Sequence, residues 1–166
     1  HVQIDPTAEQ IADMTIACAS HVRRFGMEPK IALLSHSDFG AADSRSALKM
    51  RDALACITER APDLEVDGEM QADTALSEML RERVNPNSRL TGEANVLIMP
   101  NLDAANIAFQ FTKILADSLP VGPILIGPAK PAHILTPSVT ARGIVNLTAI
   151  AVVEAQALEQ DQPMLI

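Results

Sequence analysis

The sequence predicts a three-layer α/β fold, a mainly parallel sheet with helices on both faces. Three observations carry this expectation. Helical apolar faces alternate with short apolar runs along the chain. The runs are continuously apolar, as strands covered on both sides require, whereas a half-solvated strand would alternate. The composition is aliphatic: 48% of the 166 residues are apolar, yet Trp and Tyr are absent and Phe occurs four times. Ala, Leu, Ile, Val and Met must therefore fill the core, as expected where helices pack on a sheet. A chain of this length supports a single core that buries about 70% of its extended surface.

Ile11, Met14, Cys18, Val22 and Phe25 recur at three- and four-residue steps and define a first helix. Asp5 or Thr7 is its expected cap, with Pro6 in the first turn and Gly26 as the stop. Lys30 to Ser35 is continuously apolar after its lysine and predicts a buried strand over 31–35. A helix over 44–60 presents Leu48, Met50, Leu54, Ala55 and Ile57. Pro62 separates it from Leu64-Glu65-Val66, a short strand expected to end before Gly68. Over 70–84 the pattern is helical again, with Ala72, Leu76, Met79, Leu80 and Val84 as its apolar set, until Asn85-Pro86-Asn87-Ser88 breaks it. A strand over 96–100 precedes a helix over 103–118, and a strand over 124–126 begins at the tolerated first-position Pro123. A loop over 128–138 leads to the last helix, 144–158.

Charge and cysteine usage restrict the function classes. The formal net charge is −8 and no basic tract exceeds Arg23-Arg24, so the concentrated positive surface of a nucleic-acid binder is missing. No uncharged apolar stretch reaches about 18 residues, and no signal peptide is evident, so no membrane association is expected. Cys18 and Cys56 form neither a CxxC pair nor a disulfide framework and are expected to be small buried apolar groups of a reducing, cytoplasmic protein. The unusual start at His1, with a helix introduced by Asp5-Pro6-Thr7, suggests the C-terminal part of a longer chain.

Chemistry is expected in the loops after the strands. Ligands of open parallel sheets collect outside the carboxyl ends of the strands, which here carry Ser35 to Gly40, Pro100 to Asn106 and Gly127 to Thr140. Ser35-His36-Ser37-Asp38 holds the residue types of a nucleophilic triad, but four consecutive loop residues seldom converge on one atom, and no G-x-S-x-G elbow is present. Glu65, Asp67 and Glu69 are read as solvated or helix-capping carboxylates, or as makers of an intersubunit or interdomain bond, in preference to a catalytic or metal set. The four histidines show none of the usual zinc spacings, and no metal is assigned. The segment from Gly122 to Gly127 lacks the phosphate-loop pattern, leaving Lys130 and His133 in the following loop as candidates for touching a ligand. His21, beside Arg23 and Arg24, is read as solvated or partner-contacting.

At this level the chain resembles the second half of the phosphate acetyltransferase (phosphotransacetylase) family, most closely the version at the C-terminus of bacterial NADP-dependent malic enzymes. The resemblance rests on Asp5-Pro6-Thr7-Ala8-Glu9-Gln10, Lys30 to Ser37, Val66-Asp67-Gly68-Glu69 and the run from Met99-Pro100-Asn101 through Asn106-Ile107. More discriminating is Gly127-Pro128-Ala129-Lys130-Pro131-Ala132-His133-Ile134-Leu135-Thr136-Pro137-Ser138-Val139-Thr140, continued by Ile144-Val145-Asn146.

The family transfers an acetyl group between acetyl phosphate and coenzyme A in a cleft between two α/β lobes. The resemblance implies that residues 1–137 are mostly the second lobe, and that 138–166 carry a C-terminal helix returning to a first lobe absent from this sequence. It also implies pairing into a homodimer through the second lobe. Active members carry serine then arginine in the last loop, with an aspartate six residues beyond. Those positions hold Thr136, Pro137 and Gly143 here, and a further arginine of the preceding helix corresponds to Ile114. An arginine fork and a general base are thus both missing, and losing a base alone costs about 10²–10⁴-fold in rate. No catalytic residue is assigned. The expectation is a non-catalytic regulatory and oligomerisation module that senses acetyl-CoA or CoA, with Asn106, Lys130, Thr136 and Arg142 as ligand contacts. The alternatives are a phosphate acetyltransferase and a purely structural dimerisation module. The parent would convert malate and NADP to pyruvate, CO2 and NADPH, with NADP and Mg or Mn held by domains outside this sequence.

Overall fold

The computed structural model describes residues 3–117, 120–137 and 139–160. The chain forms two compact units, His1–Phe111 and Thr112–Ile166. The first contains α1 (Ala8–Arg24), β1 (Ile31–Leu34), α2 (Arg45–Arg60), β2 (Val66–Met70), α3 (Ala72–Leu76), α4 (Glu78–Val84) and β3 (Val96–Ile98). Helix α5 (Leu102–Leu115) runs across the division, and α6 (Ala141–Gln160) belongs to the second unit.

The three strands form a parallel sheet in the order β2-β1-β3, with Ile31 opposite both Val66 and Val96. All four residues of β1 are buried. Alternation along the strand sends Ile31 and Leu33 into a cluster with Ile11, Met50, Ala53, Ile57, Val66 and Val96. Ala32 and Leu34 enter a second cluster with Met70, Ala75, Leu90 and Ala94. Helices α1 and α2 supply the first layer, and α3 with the loop before β3 supplies the other. This is the α/β architecture expected. The run over 124–126 is a correction: the described residues between α5 and α6 form no strand.

Helix α1 begins where its cap chemistry requires. Thr7 Oγ1 accepts the Gln10 amide at 3.2 Å, and Gln10 Oε1 accepts the Thr7 amide at 2.9 Å, a reciprocal capping box. Pro6 therefore lies before the cap instead of in the first turn. Gly26, at φ 76°, follows the C-cap Phe25 and ends the helix. The buried face is Ile11, Ala12, Thr15 and Ala19, whereas Met14 and Phe25 of the expected stripe are exposed. Helix α2, capped by Ser44, buries Ala47, Met50, Ala53 and Ile57, while Leu48 and Ala55 face outward. Small alanines let the two helices approach where larger side chains would hold them apart. Cys18 and Cys56 are only half-buried, correcting their expected core placement, and desolvation raises the Cys18 thiol pKa.

The second strand departs from expectation. It runs over Val66–Met70, directly through Gly68, and is buried throughout. Gly68 has φ 145°, and a Cβ there would lie 2.7 Å from the Leu33 carbonyl oxygen. The glycine therefore permits the close approach of β2 to β1 where their register shifts, between Leu33 and Leu34.

The helix expected over 70–84 is divided between α3 and α4 by extended Ser77, whose hydroxyl accepts the Leu80 amide at 3.3 Å. Its expected apolar set, Ala72, Leu76, Met79, Leu80 and Val84, lies outside. The buried residues are Thr74, Ala75 and Arg81, whose guanidinium donates to the carbonyls of Thr74, Ala75, Leu90 and Gly92.

Helix α5 has no buried residue, and its expected end at Ser118 lies outside the described residues. Helix α6 begins three residues earlier than expected. By length and composition alone, Ala141–Leu158 is apolar enough to cross a membrane, with a mean hydropathy of 1.2, although it carries Arg142 and Glu154. Ile144, Val145, Val152 and Val153 are exposed along it. Residues 138 and 161–166 of the expected C-terminal segment lie outside the described residues.

Candidate functional site at the strand ends

Parallel pairing brings the loops after β1, β2 and β3 to one edge of the sheet. The loop after β1 is fastened by Glu69, which is fully buried. Its Oε1 accepts the Ser37 hydroxyl at 2.8 Å and the Gly40 amide at 3.0 Å, while its backbone oxygen accepts the Phe39 amide at 2.7 Å. Arg51 Nη1 stands 3.8 Å from Oε1, and its Nη2 binds Asp43 at 2.7 Å. Asp38 Oδ1 accepts the Gln71 amide at 2.8 Å, joining the loops after β1 and β2. The Ser37 hydroxyl is committed to Glu69, and His36 is exposed, so these neighbours do not assemble a nucleophile and base.

The carboxylates of Glu65, just before β2, and of Asp67 and Glu69 within it are engaged by loops of the first unit. Asp67 Oδ2 accepts both the Ser88 hydroxyl and the Arg89 amide at 2.7 Å. Glu65 accepts the amide and hydroxyl of Thr91 at 2.7 and 2.8 Å. Each carboxylate secures a loop inside the first unit. Among the described residues, no group of three His, Cys, Asp or Glu side chains is arranged to hold a metal.

After β3, Lys49 Nζ donates to the Pro100 carbonyl at 2.8 Å and to Asp5 at 2.6 Å. That hydrogen bond, with the lysine charge, lowers the Asp5 pKa. Asn101 Oδ1 accepts the Ala104 amide at 2.9 Å and starts α5. Asn106 is exposed one turn further along.

The other three proposed contacts belong to the second unit. Lys130 and Thr136 are exposed in the loop before α6, and Arg142 is exposed in its first turn. Thr140 Oγ1 accepts the Gly143 amide at 3.1 Å, capping that helix. A Cβ at Gly143 would stand 2.9 Å from Val139 Cγ2, so the glycine fills a place where a side chain meets a neighbour. Ile114 is 74% exposed. His133 is turned inward: its Nδ1 accepts the Leu125 amide at 3.4 Å, and Nε2 lies 3.6 Å from Glu154 Oε2. Sequence reasoning missed the roles of Glu69, Arg81 and Glu154. A buried acid or arginine has no sequence period of its own.

A parallel sheet wrapped by helices, with polar loops gathered at its carboxyl edge, defines an α/β protein of the open-sheet class. The chain belongs to the phosphate acetyl/butaryl transferase family, whose model matches residues 1–152. It is 60% identical to an NAD-dependent malic enzyme of Rhizobium meliloti over 93% of the chain and 20% of the relative. To an NADP-dependent malic enzyme of Salmonella typhimurium it is 52% identical, over 94% of the chain and 21% of the relative. The crystal structure of a phosphotransacetylase from Streptococcus pyogenes superposes with a TM-score of 0.89 at 34% identity, covering 96% of this chain and 48% of that one. The chain thus spans about a fifth of these malic enzymes and about half of the phosphotransacetylase.

Proposed function

We propose that this chain is the non-catalytic regulatory and oligomerisation module of a cytoplasmic bacterial malic enzyme, and that it senses acetyl-CoA or CoA. The observation that carries this reading is the replacement of the charged acyl-transfer groups within a retained family scaffold. Thr136, Pro137 and Gly143 occupy the positions of the serine, arginine and aspartate expected in active members, and Ile114 that of a further arginine. Proline offers no cation and glycine no base, so these positions provide no means to clamp an acyl phosphate or accept a thiol proton.

Within the second unit, Thr136 supplies a neutral hydrogen-bonding group, and Lys130 and Arg142 supply cations for the phosphates of a CoA-type ligand in an otherwise acidic chain. Arg142 in the first turn of α6 adds to the positive end of the helix dipole, which favours an anionic partner. Self-association is supported by the apolar groups along α5, where Ile107, Phe111, Ile114 and Leu115 are all exposed. The exposed aliphatic surface of α6 suits the first lobe of the family. In the parent, malate oxidation with NAD or NADP and a divalent metal takes place in other domains.

The test uses the intact enzyme. Malate oxidation is measured with and without acetyl-CoA, alongside acetyl-CoA formation from acetyl phosphate. The expected result is a changed malate rate and negligible acetyl transfer. A coupling of about 1–3 kcal/mol corresponds to a 5–150-fold ratio of affinities for the two states. Deletion of this module should abolish the response while malate oxidation continues. Efficient acetyl transfer, or unchanged regulation after deletion with assembly verified, would overturn the proposal.

A further inference from the structure

We infer that His133 and Glu154 form a positioning pair that holds the Lys130–Thr136 loop in its ligand-ready shape. The inference rests on the CoA-sensing reading for its ligand, and on the second unit alone for its geometry.

Residues 120–137 contain no regular element, so backbone pairing does not shape this loop and side chains must do so. His133 lies three residues from each proposed contact, Lys130 and Thr136. Both of those are exposed, yet the His133 side chain is only 4% exposed. Its Nδ1 accepts the Leu125 amide across eight residues, drawing the two limbs of the loop together. With Nδ1 accepting, the neutral ring carries its proton on Nε2. That nitrogen is buried with no hydrogen-bond partner among the described residues and faces Glu154 Oε2 at 3.6 Å, just beyond hydrogen-bond length, while the Glu154 side chain is 7% exposed. A small closing movement would bring the two groups into contact. Glu154 lies on α6, the helix whose first turn bears Arg142. The pair therefore ties the loop carrying two proposed contacts to the helix carrying a third.

The setting makes the carboxylate informative. Its neighbours along α6 include Val152 and Val153, both exposed, whereas the acid is buried. A surface helix ordinarily reverses that arrangement. Burying a carboxylate is costly unless another group compensates it, and His133 is positioned to contribute. A loop fixed in advance loses less conformational freedom when a ligand arrives. Disengaging the pair should therefore weaken binding without removing any group that touches the ligand.

The experiment is a double-mutant cycle in the intact enzyme, read by calorimetric titration with acetyl-CoA. His133→Ala and Glu154→Ala should each weaken binding about 10-fold, and the double variant no more than either alone, because each single change already releases the loop. Glu154→Gln, which keeps an oxygen at the same reach, should restore affinity to within about twofold of the parent. Independent, multiplying losses, unchanged affinity in either single variant, or no rescue by glutamine would overturn the pair. Amide hydrogen exchange over residues 125–136 provides a ligand-free reading of the same cycle. Faster exchange in both single variants, with no further gain in the double, supports the pair; unchanged exchange overturns it. If the parent protein fails to bind acetyl-CoA, the sensing proposal falls, and the exchange cycle still decides the role of the pair.

Discussion

The two units cover their apolar residues to different degrees. In the first, Ile11, Ile31, Leu33, Met50, Ile57, Val66 and Met70 are fully buried, and Glu65, Asp67 and Glu69, in and just before β2, each bond a neighbouring loop. In the second, Leu147 is the sole buried apolar residue of α6 among those described, while Ile114 and Leu115 are 74% and 80% exposed. A unit that closes its own core has its stability written in internal contacts. One that leaves aliphatic side chains uncovered carries surface suited to further protein. The contrast separates residues whose loss should unfold this chain from those whose loss should be felt only in assembly.

The sharpest way to break that contrast is Gly68→Val. The new side chain would begin 2.7 Å from the Leu33 carbonyl in a backbone conformation that L-residues rarely adopt. A loss of about 3 kcal/mol or more is expected, measured as a fall in urea midpoint. Next is Glu69→Ala, which strips the partner from the buried Ser37 hydroxyl and from the Gly40 amide. A cost of about 2–3 kcal/mol is expected from unsatisfied donors, while Glu69→Gln, retaining an acceptor, should cost less. Denaturation of both variants in parallel provides the comparison. Thr7→Ala removes one arm of the α1 capping box and should cost about 1 kcal/mol. Smallest of all should be Ile114→Ser and Val145→Ser in the second unit. Each should alter the stability of this chain by no more than about 0.5 kcal/mol, yet weaken association of the intact protein when followed by sedimentation. A large stability loss in this chain would show that these exposed side chains support its internal fold.

This division also explains what could be read in advance. The strands over 31–35 and 96–100 were legible because a short, continuously apolar run has one comfortable home in a covered parallel sheet. Thr7, one of two expected caps of α1, was legible because capping chemistry is local. The stripe of Leu76, Met79, Leu80 and Val84 misled because periodicity identifies an apolar face without saying that this chain covers it. Ser77 then divides the helix, and Arg81 enters the interior by finding four carbonyls from distant segments. The strand over 124–126 has the right residues but no pairing partner among the described residues. At the candidate site, the loops were visible as polar segments after strands. Glu69 was misread because its partners lie about 30 residues earlier, at Ser37 and Gly40. His133 was recognised as part of the loop, but its inward direction depends on Glu154.

The tight space beside Gly143 sets a design rule for this loop. A Cβ placed there would stand 2.9 Å from Val139 Cγ2, so the methyl group of Val139 must turn aside or be trimmed before any larger residue is seated. A carboxylate introduced at Gly143 is therefore best paired with Val139→Ala, and the two changes are one unit of engineering instead of two independent ones.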